Sequence, residues 1–355
     1  MRAAPGAFIV KERIELIPRF ELESGETLEQ VPVAYRSWGR LAPDGKNVVV
    51  VCHALTGSAD IEIWWPRLLG PGRALDTERY FIVCANVLGS PYGTASPLTI
   101  DPATGRPYGP DFPVPTIRDT VALHRLLLER LGVRRVEFVI GGSMGGMQAL
   151  EWAFHGDFVR GIVPIGVGGR HSAWCIGWSE AQRQAIFADP EWRDGRYEAG
   201  RGPARGLAIA RMIAMISYRS FASFAPRFGR ERVDDGGAMR YSVETYLAHQ
   251  GNKLVRRFDA NCYVKLTQSM DTHDVARGRG EYFEVLASIA QPTLVIGIDT
   301  DILYPLDEQR ELAAHIPNAR LAVLESQHGH DAFLIEEDAV NDIVVGWRRE
   351  ALDGA

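Results

Sequence analysis

Apolar residues in this chain collect in short unbroken runs separated by small and polar residues. NVVVVCHAL (47–55), YFIVCANVL (80–88) and VEFVIGGS (136–143) are the clearest of them. Each is bounded by turn residues and reads as a strand of a parallel sheet buried on both faces, ending in a loop of small residues. Before the third run the period changes. In TIRDTVALHRLLLERLGV, Ile117, Val121, Leu123, Leu127 and Leu131 have the spacing of an amphipathic helix, and Thr116 with Asp119 fits a capping box. Strand, helix and strand together make a βαβ unit. GGMQALEWAFH continues helically after Ser143, GIVPIGVGG (161–169) and PTLVIGIDTD (292–301) read as further strands, and RLAVLE near the end is strand-like.

The sheet therefore breaks off and resumes after roughly 120 residues. The stretch from about 170 to 290 is rich in Trp, Arg, Ala and Met, and it contains the helical pattern RGLAIARMIAMISYRS (205–220) with no convincing alternating strand. The expected organisation is a core of residues 1–172 and 291–355, with residues 173–290 as an inserted helical lid. In open α/β sheets such an insertion lies over the carboxyl ends of the strands, where ligands bind.

Composition narrows the class without changing this picture. Of 355 residues, 46% are hydrophobic and 24% charged, which suits a globular chain with ample surface to bury. Cys52, Cys84, Cys175 and Cys262 are scattered with no CxxC pair, which argues against zinc and for a reducing compartment. MRAAPGAFIVKERIEL has no leader-like apolar core, no stretch is apolar enough to span a membrane, and a cytoplasmic location is the expectation. The net charge of −6, with arginines spread along the chain, leaves no basic footprint for nucleic acid. Arg219, Arg227, Arg230 and Arg232 read as a solvated face, with a small phosphorylated substrate as the other use of such a cluster.

Chemistry enters at VIGGSMGG (139–146), where Gly141, Ser143 and Gly145 satisfy G-x-S-x-G between a buried strand and a helix. A tight turn there would expose the Ser143 hydroxyl in a strained conformation, as in the nucleophile elbow of the α/β-hydrolase fold. A serine needs a base, and in this fold the base comes last in the chain. His328 and His330 in ESQHGHDAFL both qualify by position, and the glycine before His330 favours the latter. The acid that orients the base should end the preceding strand, where Asp299 and Asp301 compete. Asp299 also suits a turn or helix cap, so spacing favours Asp301. Oxyanion donors would be the backbone N–H of Met144 and, from HALTGSAD (53–60), that of Leu55.

HALTGSAD, NVLGSPYGTASP, TIRD, GGSMGGMQALEWA, GLAIARMIAMISYRS and GHDAFL, in this order, resemble the homoserine O-acetyltransferases over nearly the whole chain. The resemblance implies an α/β-hydrolase fold with a mostly parallel sheet and a helical lid, and transfer of acetyl from acetyl-CoA as co-substrate to the hydroxyl of L-homoserine, a step toward methionine. It implies no cofactor and no metal, and a homodimer. It assigns Ser143 as nucleophile, Asp301 in D-I-L-Y-P as acid, His330 in GHDAFL as base, and Arg211 and Asp331 as substrate-binding residues. Arg211 shares a helical face with Leu207, Ala214, Met215 and Tyr218, so it needs an anionic partner, either a substrate carboxylate or a neighbouring acid. Asp331 could take the substrate ammonium. The sequence departs from the family at His328, where an aromatic is frequent, and in GSPYGTASP, which replaces a GSTGPSSP-like loop. Relatives within the resemblance use succinyl-CoA or acylate serine.

Overall fold

In the computed structural model, which describes residues 12–198 and 200–354, the apolar runs become the middle of one eight-stranded sheet. The leader-free reading of the N-terminus falls mostly on residues 1–11, outside the described residues. Among the described residues ten strands form: β1 (Arg13–Glu21), β2 (Thr27–Trp38), β3 (Val48–Cys52), β4 (Phe81–Ala85), β5 (Val136–Gly142), β6 (Ile162–Ile165), β7 (Arg232–Asp235), β8 (Ala238–Tyr241), β9 (Thr293–Ile298) and β10 (Ala319–Leu324). The sheet order is β1-β2-β4-β3-β5-β6-β9-β10; β1 and β2 are antiparallel to their neighbours and the rest run parallel.

Why the central strands are apolar throughout is visible in β3. Val48, Val50 and Cys52 enter the core on one face of the sheet, beside Ile117, Val121, Leu127 and Met147 of two helices. Val49 and Val51 point the other way, toward Trp65, Phe333 and Trp347. A side chain buried on either face stabilises by about 2 kcal/mol, so no position in such a strand tolerates a polar residue. The helix Ile117–Arg130 starts at the expected cap: Asp119 N–H donates to Thr116 Oγ1 at 3.1 Å, and Thr116 N–H donates to Asp119 Oδ2 at 2.8 Å. The other oxygen of Asp119 accepts from Glu23 N–H at 2.8 Å, which ties this helix to the β1–β2 turn.

Two strand pairs depart from the sequence expectation. β1 and β2 precede the first apolar run and extend the sheet beyond β4; β1 buries only Ile17 and Phe20, so it carries no continuous apolar signal. Within residues 170–290, read as free of strands, β7 and β8 form an antiparallel hairpin. Its residues are nearly all exposed, which removes the alternation that marks a half-buried strand. The signal present is the turn itself, since Gly236 and Gly237 take φ of 65° and 90°, values that favour glycine and join the strands tightly. The rest of that stretch is helical, over Ala173–Phe187, Ala204–Ser217, Phe221–Phe228, Ser242–Val255, Ala260–Asp271 and Tyr282–Ala287. Although the chain leaves the sheet between β6 and β9, these two strands pair directly.

The turn from β5 into the helix Met144–Trp152 is packed backbone against backbone. A Cβ on Gly145 would lie 2.1 Å from the Cys52 carbonyl oxygen, and one on Gly141 would lie 2.5 Å from Gly145 and 2.7 Å from the same oxygen. Gly145→Ala is therefore expected to destabilise the protein by about 3 kcal/mol, because no side chain can move aside. Gly177→Ala, at an exposed helical position with nothing within 4 Å of a new Cβ, should instead stabilise by about 0.5–1 kcal/mol. Denaturant unfolding of the two variants tests the contrast.

Candidate active site

Ser143 stands between the last residue of β5 and the first of the helix Met144–Trp152, with φ 58° and ψ −124°. An L-residue rarely takes this conformation, and it persists here because flanking contacts fix it. Ser143 N–H donates to the Ile165 carbonyl at 2.9 Å, and its own carbonyl accepts from Gly146 and Met147. The side chain reaches a cavity of about 850 Å³ at the carboxyl ends of β3 and β5, at the positive end of the helix dipole.

His330 and Asp301 are joined across that site. His330 Nδ1 lies 2.6 Å from Asp301 Oδ2, both groups buried, while Asp301 Oδ1 accepts the N–H groups of Leu303 at 2.8 Å and Tyr304 at 3.0 Å. The imidazole is walled by aromatic rings: Tyr304 at 5.2 Å, Phe333 at 5.6 Å and Tyr218 at 5.8 Å between centroids. Its Nε2 is buried and has no hydrogen-bond partner among the described residues, and His330 lines the cavity with Ser143.

The geometry separates the residues that spacing left competing. His328 lies 3.8 Å from Glu336 and lines a different, smaller depression, with Arg219, Arg227 and Ile335. Asp299 accepts from Ser326 N–H at 2.9 Å, the loop-bracing use that its position also suited. Gly329, between the two histidines, has φ 67°, and a Cβ there would come within 2.8 Å of the backbone of Arg219 and Ser220. This contact holds the histidine loop against the end of the helix Ala204–Ser217, and Asp331 N–H adds a 3.1 Å bond to the Tyr218 carbonyl.

Arg211 and Asp331 line the same cavity as Ser143. Arg211 sits over the Tyr218 ring, 5.5 Å from its centroid, and has no carboxylate in ion-pair distance among the described residues. Asp331 is paired instead with Arg219, whose Nε is 3.1 Å from Oδ2. This corrects the reading of Arg219 as part of a solvated face: its side chain is 14% exposed. Its neighbours Arg230 and Arg232 do lie on the exposed surface, and the difference arises because the chain folds Arg219 under the histidine loop. Burial raises the Asp331 pKa against the opposing pull of Arg219 and Arg211. The N–H groups of Leu55 and Met144 donate to no backbone or side-chain acceptor among the described residues. Leu55 lines the cavity, and its loop is pinned by His53, whose Nδ1 lies 2.9 Å from the Ala54 carbonyl and whose Nε2 accepts from Val87 N–H at 3.0 Å. Burial pushes the His53 pKa down to about 4, so it serves here as a neutral brace.

Residues 47–337 match the family model of the α/β-hydrolase fold. The homoserine O-acetyltransferase of Salinibacter ruber is 61% identical over 337 residues, covering 94% of this chain and 96% of that one. The chain belongs to the homoserine O-acetyltransferase family. Among solved structures, the homoserine O-acetyltransferase of Staphylococcus aureus is similar at 29% identity, with a TM-score of 0.77 and 95% of each chain covered. Esterase E22 is similar at 27% identity, with a TM-score of 0.88 and 96% of this chain and 100% of that one covered.

Within this homoserine O-acetyltransferase family member, sequence reasoning named the residues that line the cavity floor but passed over those that hold them. Tyr304, Phe333 and Arg219 lie within the blocks D-I-L-Y-P, GHDAFL and GLAIARMIAMISYRS but were given no role at the site. Membership of those blocks, and for Tyr304 and Phe333 proximity to Asp301 and His330, was the signal that could have marked them. The electrostatic result is measurable. Burial disfavours a charged His330, but Asp301, through its charge and hydrogen bond, and Asp331 more than offset this, so the pKa is raised above the ordinary 6.5. A raised folded-state pKa means that the pair's stabilisation is complete below the unfolded pKa and is lost as pH rises through the folded one. The His330 ring should therefore titrate above 6.5 by NMR, and Asp301→Asn should move the titration down. An unshifted titration in that variant would show that Asp301 does not set the charge state of His330.

Proposed function

We propose that this protein moves acetyl from acetyl-CoA to the hydroxyl of L-homoserine through an acyl-Ser143 intermediate, in methionine synthesis. The observation that carries the reaction is the 61% identity to the Salinibacter ruber homoserine O-acetyltransferase across almost the full length of both chains. The placement of Ser143, His330, Arg211 and Asp331 on one cavity supports the assignment of roles.

In the proposed cycle, His330 Nε2 takes the Ser143 hydroxyl proton as Oγ bonds to the thioester carbonyl carbon. The oxyanion is held by the N–H groups of Leu55 and Met144. Collapse of the adduct breaks the carbon–sulfur bond, and the CoA sulfur leaves with the proton from His330. The homoserine hydroxyl then gives its proton to the same nitrogen and attacks the acyl carbon, and Ser143 leaves with that proton restored. Asp301 keeps the imidazole in the tautomer this requires and stabilises its charged form. Arg211 binds the homoserine carboxylate, and Asp331 the ammonium. Asp331 is already paired with Arg219, which keeps its charge compensated until the ammonium arrives.

Hydrolysis of a small ester or thioester is the second reading, favoured by the likeness to esterase E22. The same serine, base and acid serve both chemistries, and only acceptor binding separates them. Cytoplasmic location and homodimer assembly are part of the family reading. Phe221, Met239 and Ile216 are exposed apolar side chains of the helical segment, Phe221 at 87%, and sedimentation should show a dimer.

A matrix of acetyl-CoA or succinyl-CoA against L-homoserine or L-serine, followed by thiol release and product mass, should yield O-acetylhomoserine as the dominant product. Thiol release that does not depend on acceptor would place the protein with the hydrolases. Ser143→Ala should lower kcat by about 10⁴-fold or more. Arg211→Ala should cut kcat/KM for homoserine by about 10²-fold while slow thioester hydrolysis persists. Equal loss of both would remove Arg211 from the acceptor site.

A further inference from the structure

Three cations, Lys253, Arg256 and Arg257, lie at the end of the helix Ser242–Val255 and in the turn beyond it. All three are exposed, and among the described residues none has a carboxylate within ion-pair distance. Lys253 and Arg257 line the rim of the Ser143 cavity. Arg257 is fixed there: its Nη1 donates to the Thr56 carbonyl at 2.7 Å and to the Tyr92 hydroxyl. Both acceptors are neutral, so they orient the guanidinium and leave its charge uncompensated.

Most charges elsewhere on the lining are paired locally. Arg36 holds Asp60 at 2.9 Å and Glu62 at 2.5 Å, and Arg219 holds Asp331. Glu12 is the exception: it accepts only from the neutral Asn86 amide, at 3.3 Å, so among the described residues its carboxylate charge is left uncompensated. Arg211 is the remaining lining cation, and the reading above commits it to the acceptor carboxylate. Outside the acceptor site the uncompensated charge of the lining is thus net positive, Lys253 and Arg257 against Glu12, beside walls formed by neutral residues such as Thr56, Gly57, Ser58, Trp64 and Tyr92.

We propose that Lys253 and Arg257, with Arg256 beside them, form the subsite for the phosphate groups of the acyl-CoA donor. This rests on the reading of the cavity as an acyl-CoA site. The thioester must reach Ser143 on the cavity floor, the neutral pantetheine arm suits the neutral wall, and the strongly hydrated phosphates stay at the rim. There a preoriented guanidinium and an ammonium meet them without first breaking an ion pair. The arrangement distinguishes a CoA thioester from a short acyl ester by charge at the entrance, away from the reacting carbonyl.

The test compares acetyl-CoA with S-acetyl-N-acetylcysteamine, a thioester without phosphates, at saturating homoserine. In Lys253→Glu and in Arg257→Gln the ratio of kcat/KM values, acetyl-CoA over the short thioester, should fall by roughly five- to tenfold relative to the wild type, as expected for loss or reversal of one exposed phosphate contact. Added salt should raise the wild-type KM for acetyl-CoA but not that for the short donor. The ratio matters for Arg257→Gln, because losing the Thr56 contact slows both donors alike. An unchanged ratio in both variants, with a wild-type enzyme that uses acetyl-CoA, would overturn the subsite alone. A wild-type enzyme that acylates homoserine from neither donor would overturn the acyl-CoA reading itself.

Discussion

Everything at this site depends on how closely the backbone of β5 and its following turn approaches the end of β3. With a Cβ at position 145 only 2.1 Å from the Cys52 carbonyl oxygen, the turn can exist only with glycine on either side of Ser143. That approach goes with the positive φ of Ser143, lifts its hydroxyl out of the sheet, and leaves the N–H of Met144 without an acceptor among the described residues. The valines of β3 and the apolar residues of β5 hold the two strands in place from both faces, so the strain of one residue is supported by two hydrophobic cores.

A second close contact joins the sheet to the helical segment. Gly329 packs on the backbone of Arg219 and Ser220, Asp331 bonds to the Tyr218 carbonyl, and the Asp331 carboxylate pairs with Arg219. The histidine loop and the helix bearing Arg211 are consequently held together, which keeps the group proposed as base and the group proposed to bind the acceptor in fixed relation. Arg257 adds a third link, from the helical segment to the Leu55–Thr56 loop. Acyl transfer to an amino acid, in preference to water, needs such a linkage, because the acceptor hydroxyl must be placed while solvent is displaced.

The likeness to an esterase as well as to homoserine O-acetyltransferases follows from the same division of labour. The serine turn, the histidine and the strand-end aspartate belong to the sheet and are common to acyl chemistry of several kinds. The charges proposed to distinguish one acceptor or donor from another, Arg211, Lys253 and Arg257, belong to the helical segment between β6 and β9.

Much of this could be read from the order of residues alone. A parallel strand buried on both faces writes a run of Val and Ile that nothing else in a globular chain explains, and the Thr116–Asp119 cap is a local hydrogen-bond pattern. Local too is the glycine spacing around Ser143. β1 and the β7–β8 hairpin escaped this reading because their side chains face water and leave no hydrophobic period, only the Gly236–Gly237 turn. Position along the chain only leaned toward His330 over His328 and toward Asp301 over Asp299, since each pair lies within three residues on one loop. The family resemblance chose between them, and the fold supplied the reason: His330 turns inward against Asp301 while His328 faces Glu336, and Asp299 is spent on Ser326. Arg219 looked like one more surface arginine until the chain placed it beside Asp331. Local periodicity thus determined the central strands, the main helices and the serine turn, whereas the partners of each charge were decided only by tertiary structure. An ion pair or hydrogen bond depends on groups brought within about 3 Å, and sequence separation carries no record of that distance.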